Sequence, residues 1–159
     1  MISDHLLLRL ELQALLDRYV ATIDDDRLEE WPGLFVEDCV YEIIPKENAD
    51  AGLPAPLIYF DNAAMLRDRV VSLRHANIYE KPTYRHFLSG LAFTTVDADT
   101  VDLSANYLVV NTSLEGETKI YQSGLYRDRV VRTGVGWRFR SKRVIYDTSR
   151  VQTLLAYPI

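Results

Sequence analysis

Four residues of this chain could ligate a soft or borderline metal: Cys39, His5, His75 and His86. A single cysteine excludes an internal disulfide and any multi-cysteine zinc or iron–sulfur site built from this chain. Nothing in the sequence pairs Cys39 with a base, and a lone cysteine opening a strand is by default a small buried apolar group, so it is assigned no role. His75 closes a helix, where a donor satisfies terminal carbonyls, and His5 lies near a chain start where fraying is common. Arg85-His86 follows Tyr84 at the head of a strand and reads as an interface or structural hydrogen-bonding pair rather than a ligand set. The remaining candidates are Tyr19 and Asp24, near the end of one helix. A buried carboxylate such as Asp24 has its pKa raised toward that of a general base, and a phenol such as Tyr19 can donate to a developing oxyanion. The plainer reading has Asp24 ending the helix against nearby backbone or Arg18, Tyr19 in the core, and His86 as a satisfied strand histidine.

The elements that must position these residues follow from periodicity. Leu8, Leu12, Leu15, Tyr19 and Ile23 recur at helical spacing and predict a first helix at about 4 to 23, stopped by Asp24-Asp25-Asp26. Asp26 is expected to cap a second helix, with Glu29 completing a capping box and Trp31, Leu34 and Phe35 facing inward; Pro32 is tolerable near the first turns. A strand is expected at 39 to 44, then a loop from Pro45 to Pro56 that holds three prolines and Gly52. Asp61 is expected to cap a third helix, with Leu66, Val70 and Leu73 on one side and Arg67 and Arg74 on another.

Beyond Tyr84 the period changes to 2, and four strands follow in an antiparallel meander. Their turns fall at Asp97-Ala98-Asp99, Glu115-Gly116-Glu117 and Gly134-Val135-Gly136. Val101, Leu103, Ala105, Tyr107 and Val109 alternate with polar residues, so one face is buried; Gly124 in mid-strand predicts a bend or bulge. Arg138, Arg140 and Lys142 alternate with Trp137, Phe139 and Ser141, which puts the three charges on one face, either solvated or in contact with another subunit. Three helices ahead of a curled sheet make an α+β cone. No repeat or linker divides residues 1–159, which read as one domain.

Composition narrows the function classes. A chain of 159 residues can bury about 70% of the surface its unfolded form exposes, so no metal or disulfide staple is needed. The net charge of −5 gives no electrostatic case for nucleic acid. The start, Met1-Ile2-Ser3-Asp4-His5, lacks the pattern of a signal peptide, and no apolar run reaches the ~20 residues of a membrane span, so a reduced cytoplasm is expected.

In this order, several short segments resemble the nuclear-transport-factor-2-like (NTF2-like) superfamily, and within it the small (beta) subunits of Rieske-type aromatic-ring-hydroxylating oxygenases. The carriers are Tyr19, Ile23-Asp24, Trp31-Pro32, Phe35, Asp38-Cys39-Val40-Tyr41, and Leu66-Arg67-Asp68-Arg69-Val70 with Leu73-Arg74. They continue through Ala76-Asn77-Ile78-Tyr79-Glu80, Arg85-His86 and Val151-Gln152-Thr153-Leu154-Leu155 to Ile159. The Ala-Asn-Ile-Tyr variant is similar to small subunits of oxygenases acting on aromatic acids, among them salicylate, anthranilate and terephthalate, and the sequence does not choose between these.

The resemblance implies an NTF2-like cone, its curved, mainly antiparallel sheet wrapped around the N-terminal helices. It implies no catalytic, cofactor or metal site in this chain. The family's chemistry needs a Rieske [2Fe-2S] cluster on two Cys and two His, and a mononuclear Fe(II) on two His and one carboxylate. With three histidines and one cysteine this chain cannot hold both. The resemblance therefore implies a structural partner of a catalytic alpha subunit in an alpha3beta3 hexamer with trimeric beta subunits. Electrons from NAD(P)H would arrive through a reductase and a ferredoxin, for ring hydroxylation by O2. In the same superfamily, isomerases and dehydratases use a Tyr, an Asp and sometimes a His inside the cone, which leaves Tyr19, Asp24 and His86 as the alternative: a metal-free pocket enzyme. The apolar run from Leu154 to Ile159 is expected to dock on its own chain or a neighbour, and its deletion to weaken assembly.

Overall fold

The computed structural model describes residues 1–76, 81–147 and 157–159. The Asn77–Glu80 part of the Ala-Asn-Ile-Tyr segment and the Val151–Ala156 run lie outside the described residues.

Helix α1 spans Asp4–Asp24 and starts where the Ser3 hydroxyl accepts the Leu6 N–H at 3.3 Å. Of the expected stripe, Leu12, Leu15, Tyr19 and Ile23 are buried and Leu8 partly so, and Leu16 joins them in the core. Its end corrects one expectation. Asp26 does not cap a second helix; with φ at 59° it is the left-handed residue that closes α1. Its N–H donates to the Ile23 carbonyl at 3.1 Å and that of Arg27 to Thr22 at 2.9 Å, a Schellman closure with Asp where Gly is usual. The next element is a 3₁₀ helix, Leu28–Leu34, without a side-chain cap, and it buries Leu28, Trp31, Pro32 and Leu34. Glu29 forms no capping box there, because Arg74 takes its carboxylate at 2.6 and 2.8 Å.

Strand β1 opens at Phe35, earlier than the expected 39, and runs to Pro45. Within the expected Pro-rich loop, Lys46–Asp50 form the one-turn helix α2, paired across i,i+4 by Lys46 and Asp50. A short strand β2, Ile58–Phe60, follows and pairs antiparallel with β1. Helix α3, Ala63–His75, is capped by Asn62, whose Oδ1 accepts the Met65 N–H at 3.0 Å, rather than by Asp61.

Strands β3 (Thr83–Asp97), β4 (Thr100–Thr112), β5 (Thr118–Thr133) and β6 (Gly136–Tyr146) form the expected meander. The six-stranded sheet has the order β2-β1-β6-β5-β4-β3, and of its pairs β1–β6 is parallel. It curls over α1 without closing, and one continuous hydrophobic core fills the concavity.

Bulges bend it. Tyr121 is the extra residue between the pairs Val109↔Gln122 and Val110↔Ile120, and Arg140 the extra residue between Arg129↔Ser141 and Val130↔Phe139. The second bulge overturns the expectation that Arg138, Arg140 and Lys142 share one face. It shifts the alternation by one residue, so Lys142 follows Trp137 and Phe139 onto the inner face and is fully buried, while Arg140 stays exposed beside Asp38 at 2.8 Å. Gly124 marks a close approach instead of a bulge: a Cβ there would lie 2.0 Å from the Ile145 carbonyl oxygen.

Candidate functional site

The curl of the sheet brings three polar groupings into the cone. At one end, Asp24 on the last turn of α1 meets β3. One carboxylate oxygen lies 2.6 Å from His86 Nδ1, and the other accepts the His86 backbone N–H at 2.8 Å. Both side chains are buried, and His86 Nε2 has no hydrogen-bond partner among the described residues. The acid thus gathers a ring donor and a main-chain donor of one strand residue, fastening the helix end to the sheet.

In the centre, the hydroxyls of Tyr19 from α1 and Tyr41 from β1 converge on Ile159. Tyr19 donates to the Ile159 carbonyl oxygen at 2.7 Å and Tyr41 to the same oxygen at 3.3 Å, while the Ile159 N–H donates to the Tyr41 hydroxyl at 3.1 Å. Aromatic rings pack around them. Tyr19 is edge-on to Phe139 at 5.5 Å, and Tyr41 is edge-on to Trp31 at 5.3 Å and stacked on Phe60 at 6.1 Å. Burial pushes the Tyr41 hydroxyl up to about 12 and Tyr19 well above the ordinary phenol value, so both remain protonated donors at neutral pH.

The third grouping is a buried ion pair. Lys142 Nζ lies 2.8 Å from Asp128 Oδ2, both side chains wholly out of solvent. The ammonium also sits over the rings of Tyr126 at 3.5 Å, Tyr19 at 4.3 Å and Phe139 at 4.8 Å, an aromatic cage for one cation. Burial raises the Asp128 carboxyl and lowers the Lys142 ammonium, and each charge partly offsets that effect on the other. Asp128 Oδ1 has no hydrogen-bond partner among the described residues.

Of the residues singled out from sequence, Asp24 and His86 are therefore in contact, whereas the hydrogen bonds of Tyr19 run to Ile159 and Tyr41. Asp24 takes His86 as its partner in place of Arg18. His5 is not at a loose end: its ring stacks on Phe93 at 4.9 Å. Cys39 is fully buried, and desolvation pushes its thiol to about 11, far from a reactive thiolate. Among the described residues, no three His, Cys, Asp or Glu side chains converge as a metal site. Sequence reasoning missed the Asp128–Lys142 pair. Half of it was within reach, because Asp128 shares strand parity with Tyr126 and Val130, both buried; the other half depended on the bulge at Arg140.

Outside the cone, the convex side of β3 to β6 carries an open depression of about 510 Å³ bordered by Thr94, Ser104, Arg127 and Ser141, with Asp102 held by Arg129 at 2.7 and 2.8 Å. Its lining mixes polar residues with Ala92, Phe93 and Leu103 and includes Asp128, and it lies apart from the Asp24–His86 and Tyr19–Tyr41 groups. No described helix is long and apolar enough to cross a membrane.

Comparison with known proteins places this geometry. A family profile described as a SnoaL-like domain matches residues 4–143. The chain is 59% identical over 149 residues to the anthranilate 1,2-dioxygenase small subunit of Burkholderia cepacia, covering 94% of this chain and 92% of that protein. It is 34% identical over 150 residues to a terephthalate 1,2-dioxygenase terminal oxygenase beta subunit of Comamonas sp, covering 94% of this chain and 97% of that one. Among solved structures, the beta subunit of a proposed aromatic-ring-hydroxylating dioxygenase from Novosphingobium aromaticivorans superposes with a TM-score of 0.90 at 43% identity, covering 99% of this chain and all of the other.

Proposed function

Because this chain belongs to the SnoaL-like, NTF2-like family and, within it, to the small subunits of aromatic-ring-hydroxylating dioxygenases, we propose that it is the non-catalytic beta subunit of such a complex. The observation that carries the non-catalytic reading is the filled cone: where a pocket enzyme keeps open space, Tyr19 and Tyr41 are engaged by Ile159 and Lys142 is neutralised by Asp128. In this reading the beta subunits form a trimer that supports three catalytic alpha subunits in an alpha3beta3 hexamer. The alpha subunits carry the Rieske [2Fe-2S] cluster and the mononuclear Fe(II), and electrons from NAD(P)H reach them through a reductase and a ferredoxin. The donor set of this chain does not suit either centre, since its one cysteine is buried with a thiol near 11 and no three ligating side chains converge among the described residues. The substrate of the complex is an aromatic carboxylic acid, by analogy with relatives named for anthranilate and terephthalate.

Asp24 and His86 then serve as a fastening between α1 and β3 rather than as base and acid. The test is to express this chain alone and together with its large subunit, and to measure mass, iron content and hydroxylation of aromatic acids. The expected result is an iron-free trimer alone and an active, iron-loaded hexamer with the partner. Iron-dependent hydroxylation by this chain alone would sink the reading, as would metal-free isomerase or dehydratase activity abolished by Asp24→Asn in a folded protein.

A further inference from the structure

On the convex face of the sheet, charge is laid out in rows set by strand register. One row places Asp102, Arg129 and Ser141 side by side on β4, β5 and β6, and the acid holds the guanidinium through two bonds of 2.7 and 2.8 Å. The neighbouring row runs Ser104, Arg127, Arg143 and Glu42, which sets two arginines directly opposite each other. Glu42 takes Arg143 at 2.5 Å. Arg127 is left exposed, without a carboxylate or hydrogen-bond partner among the described residues, at the border of the 510 Å³ depression that Thr94, Ser104 and Ser141 also line. Like charges directly opposite destabilise a strand pair, so this row is unfavourable in the isolated chain and becomes favourable once an acid reaches Arg127.

The same face continues into apolar ground. Phe87 pairs with Leu108 and Ile120 with Val110, and Leu125 lies opposite Asn106 in the next register position. Phe87 is 53% and Ile120 64% exposed. An apolar area beside an unmatched arginine has the make-up of a subunit interface, where aromatic residues and Arg are enriched.

Resting on the trimer reading given under the proposed function, we propose that this convex face, centred on Arg127, binds a second copy of this chain, and that a carboxylate of the neighbour enters the depression to meet the guanidinium. Charge names the occupant. Each copy carries 23 acidic side chains against 18 Lys and Arg, a net charge of −5, so the parts of a copy outside this row hold acid in surplus. Charge also sets the sense of the contact. β5 is an inner strand, and two convex faces laid together would bring Arg127 against its own counterpart. The contact is therefore heterologous, head to tail, and contacts of that kind close into rings, of which a trimer is one.

The test uses the full chain, alone and in the complex with its large subunit. For the chain alone, sedimentation should show that Arg127→Glu raises the trimer dissociation constant about thirtyfold or more, whereas Arg127→Lys keeps most of the affinity. Because Arg127 has no partner of its own among the described residues, the Glu variant should remain folded by circular dichroism. A second measurement needs no charge change: a photoreactive side chain at Ser104, in the assembled complex, should crosslink to another copy of this chain. If wild type and Arg127→Glu form trimers equally well, or if the Ser104 crosslink goes to the large subunit or to nothing, the proposal falls while the trimer reading stands. A wild-type chain that forms no trimer, either alone or with the large subunit, overturns the trimer reading and this proposal with it.

Discussion

Lys142 is the residue at which physics and sequence pattern part most clearly. Read as alternation, it belongs with Arg138 and Arg140 on an outer face; one extra residue at Arg140 turns it inward, onto Asp128 and the rings of Tyr126 and Tyr19. Nothing in a single sequence marks which residue of an arginine-rich strand will bulge, so the pair was not legible, although the inward parity of Asp128 was. Removing one partner strands the other charge in a water-free interior. Lys142→Met should therefore destabilise the fold by about 3–5 kcal/mol in chemical denaturation, and adding Asp128→Leu should recover most of the loss. Asp24 behaves differently because its two oxygens are shared between the ring and the main-chain N–H of one residue, His86. Asp24→Asn keeps one acceptor and should cost about 1.5–3 kcal/mol, and in the assembled oxygenase it should leave turnover per iron unchanged. A fall in turnover per iron without loss of stability would return Asp24 to catalysis.

At the level of elements, the helices and the meander followed from period and turn chemistry, because the stripe on α1 and the alternation on β4 are strong local signals. The joints did not. Asp26, Glu29 and Asp61 carry the residue types of helix caps, yet Asp26 closes α1, Glu29 answers to Arg74 and Asn62 does the capping of α3. Long-range partners decided these, and Arg74 is the chief of them: from α3 it bonds Glu29, the Asp26 carboxylate at 2.9 Å and the Asp26 carbonyl at 2.8 Å. Its hydrogen bonds hold the Glu29 carboxyl down to about 2. A carboxyl depressed by folding stabilises fully above its unfolded pKa of about 4.3 and loses that contribution as the pH falls toward 2. The stability of the protein should accordingly drop between pH 4.5 and 2 with a slope that Arg74→Met flattens and added salt weakens, as urea titrations at stepped pH will read. Gly124 is the rigid counterpart. With the Ile145 carbonyl 2.0 Å from where a Cβ would stand, Gly124→Ala must push β5 from β6 and should cost about 3 kcal/mol or more in the same assay.

Across the whole molecule, architecture and family were legible from the order of weak segments, whereas the content of the cone was not. Whether a cone is open or filled depends on where distant side chains and Ile159 come to rest, and local patterns carry no information about that. The filled interior leaves the outer surfaces as the place where subunits can meet, which agrees with the small-subunit family to which the chain belongs. One feature of the topology bears on how such a molecule comes into being. β1 sits one strand in from the β2 edge, joined to the rest through its parallel neighbour β6, and Val40 pairs with Ser141, a separation of 101 residues from 141 − 40. During synthesis β1 must wait, its inner edge unpaired, until nearly the whole chain has left the ribosome. Contacts this distant in sequence close slowly. An exposed strand edge in that interval invites pairing with another chain. The yield of correctly folded protein should thus depend on how quickly the last strand arrives, and faster completion of the chain or chaperone capacity, more than added stability, is what should raise it.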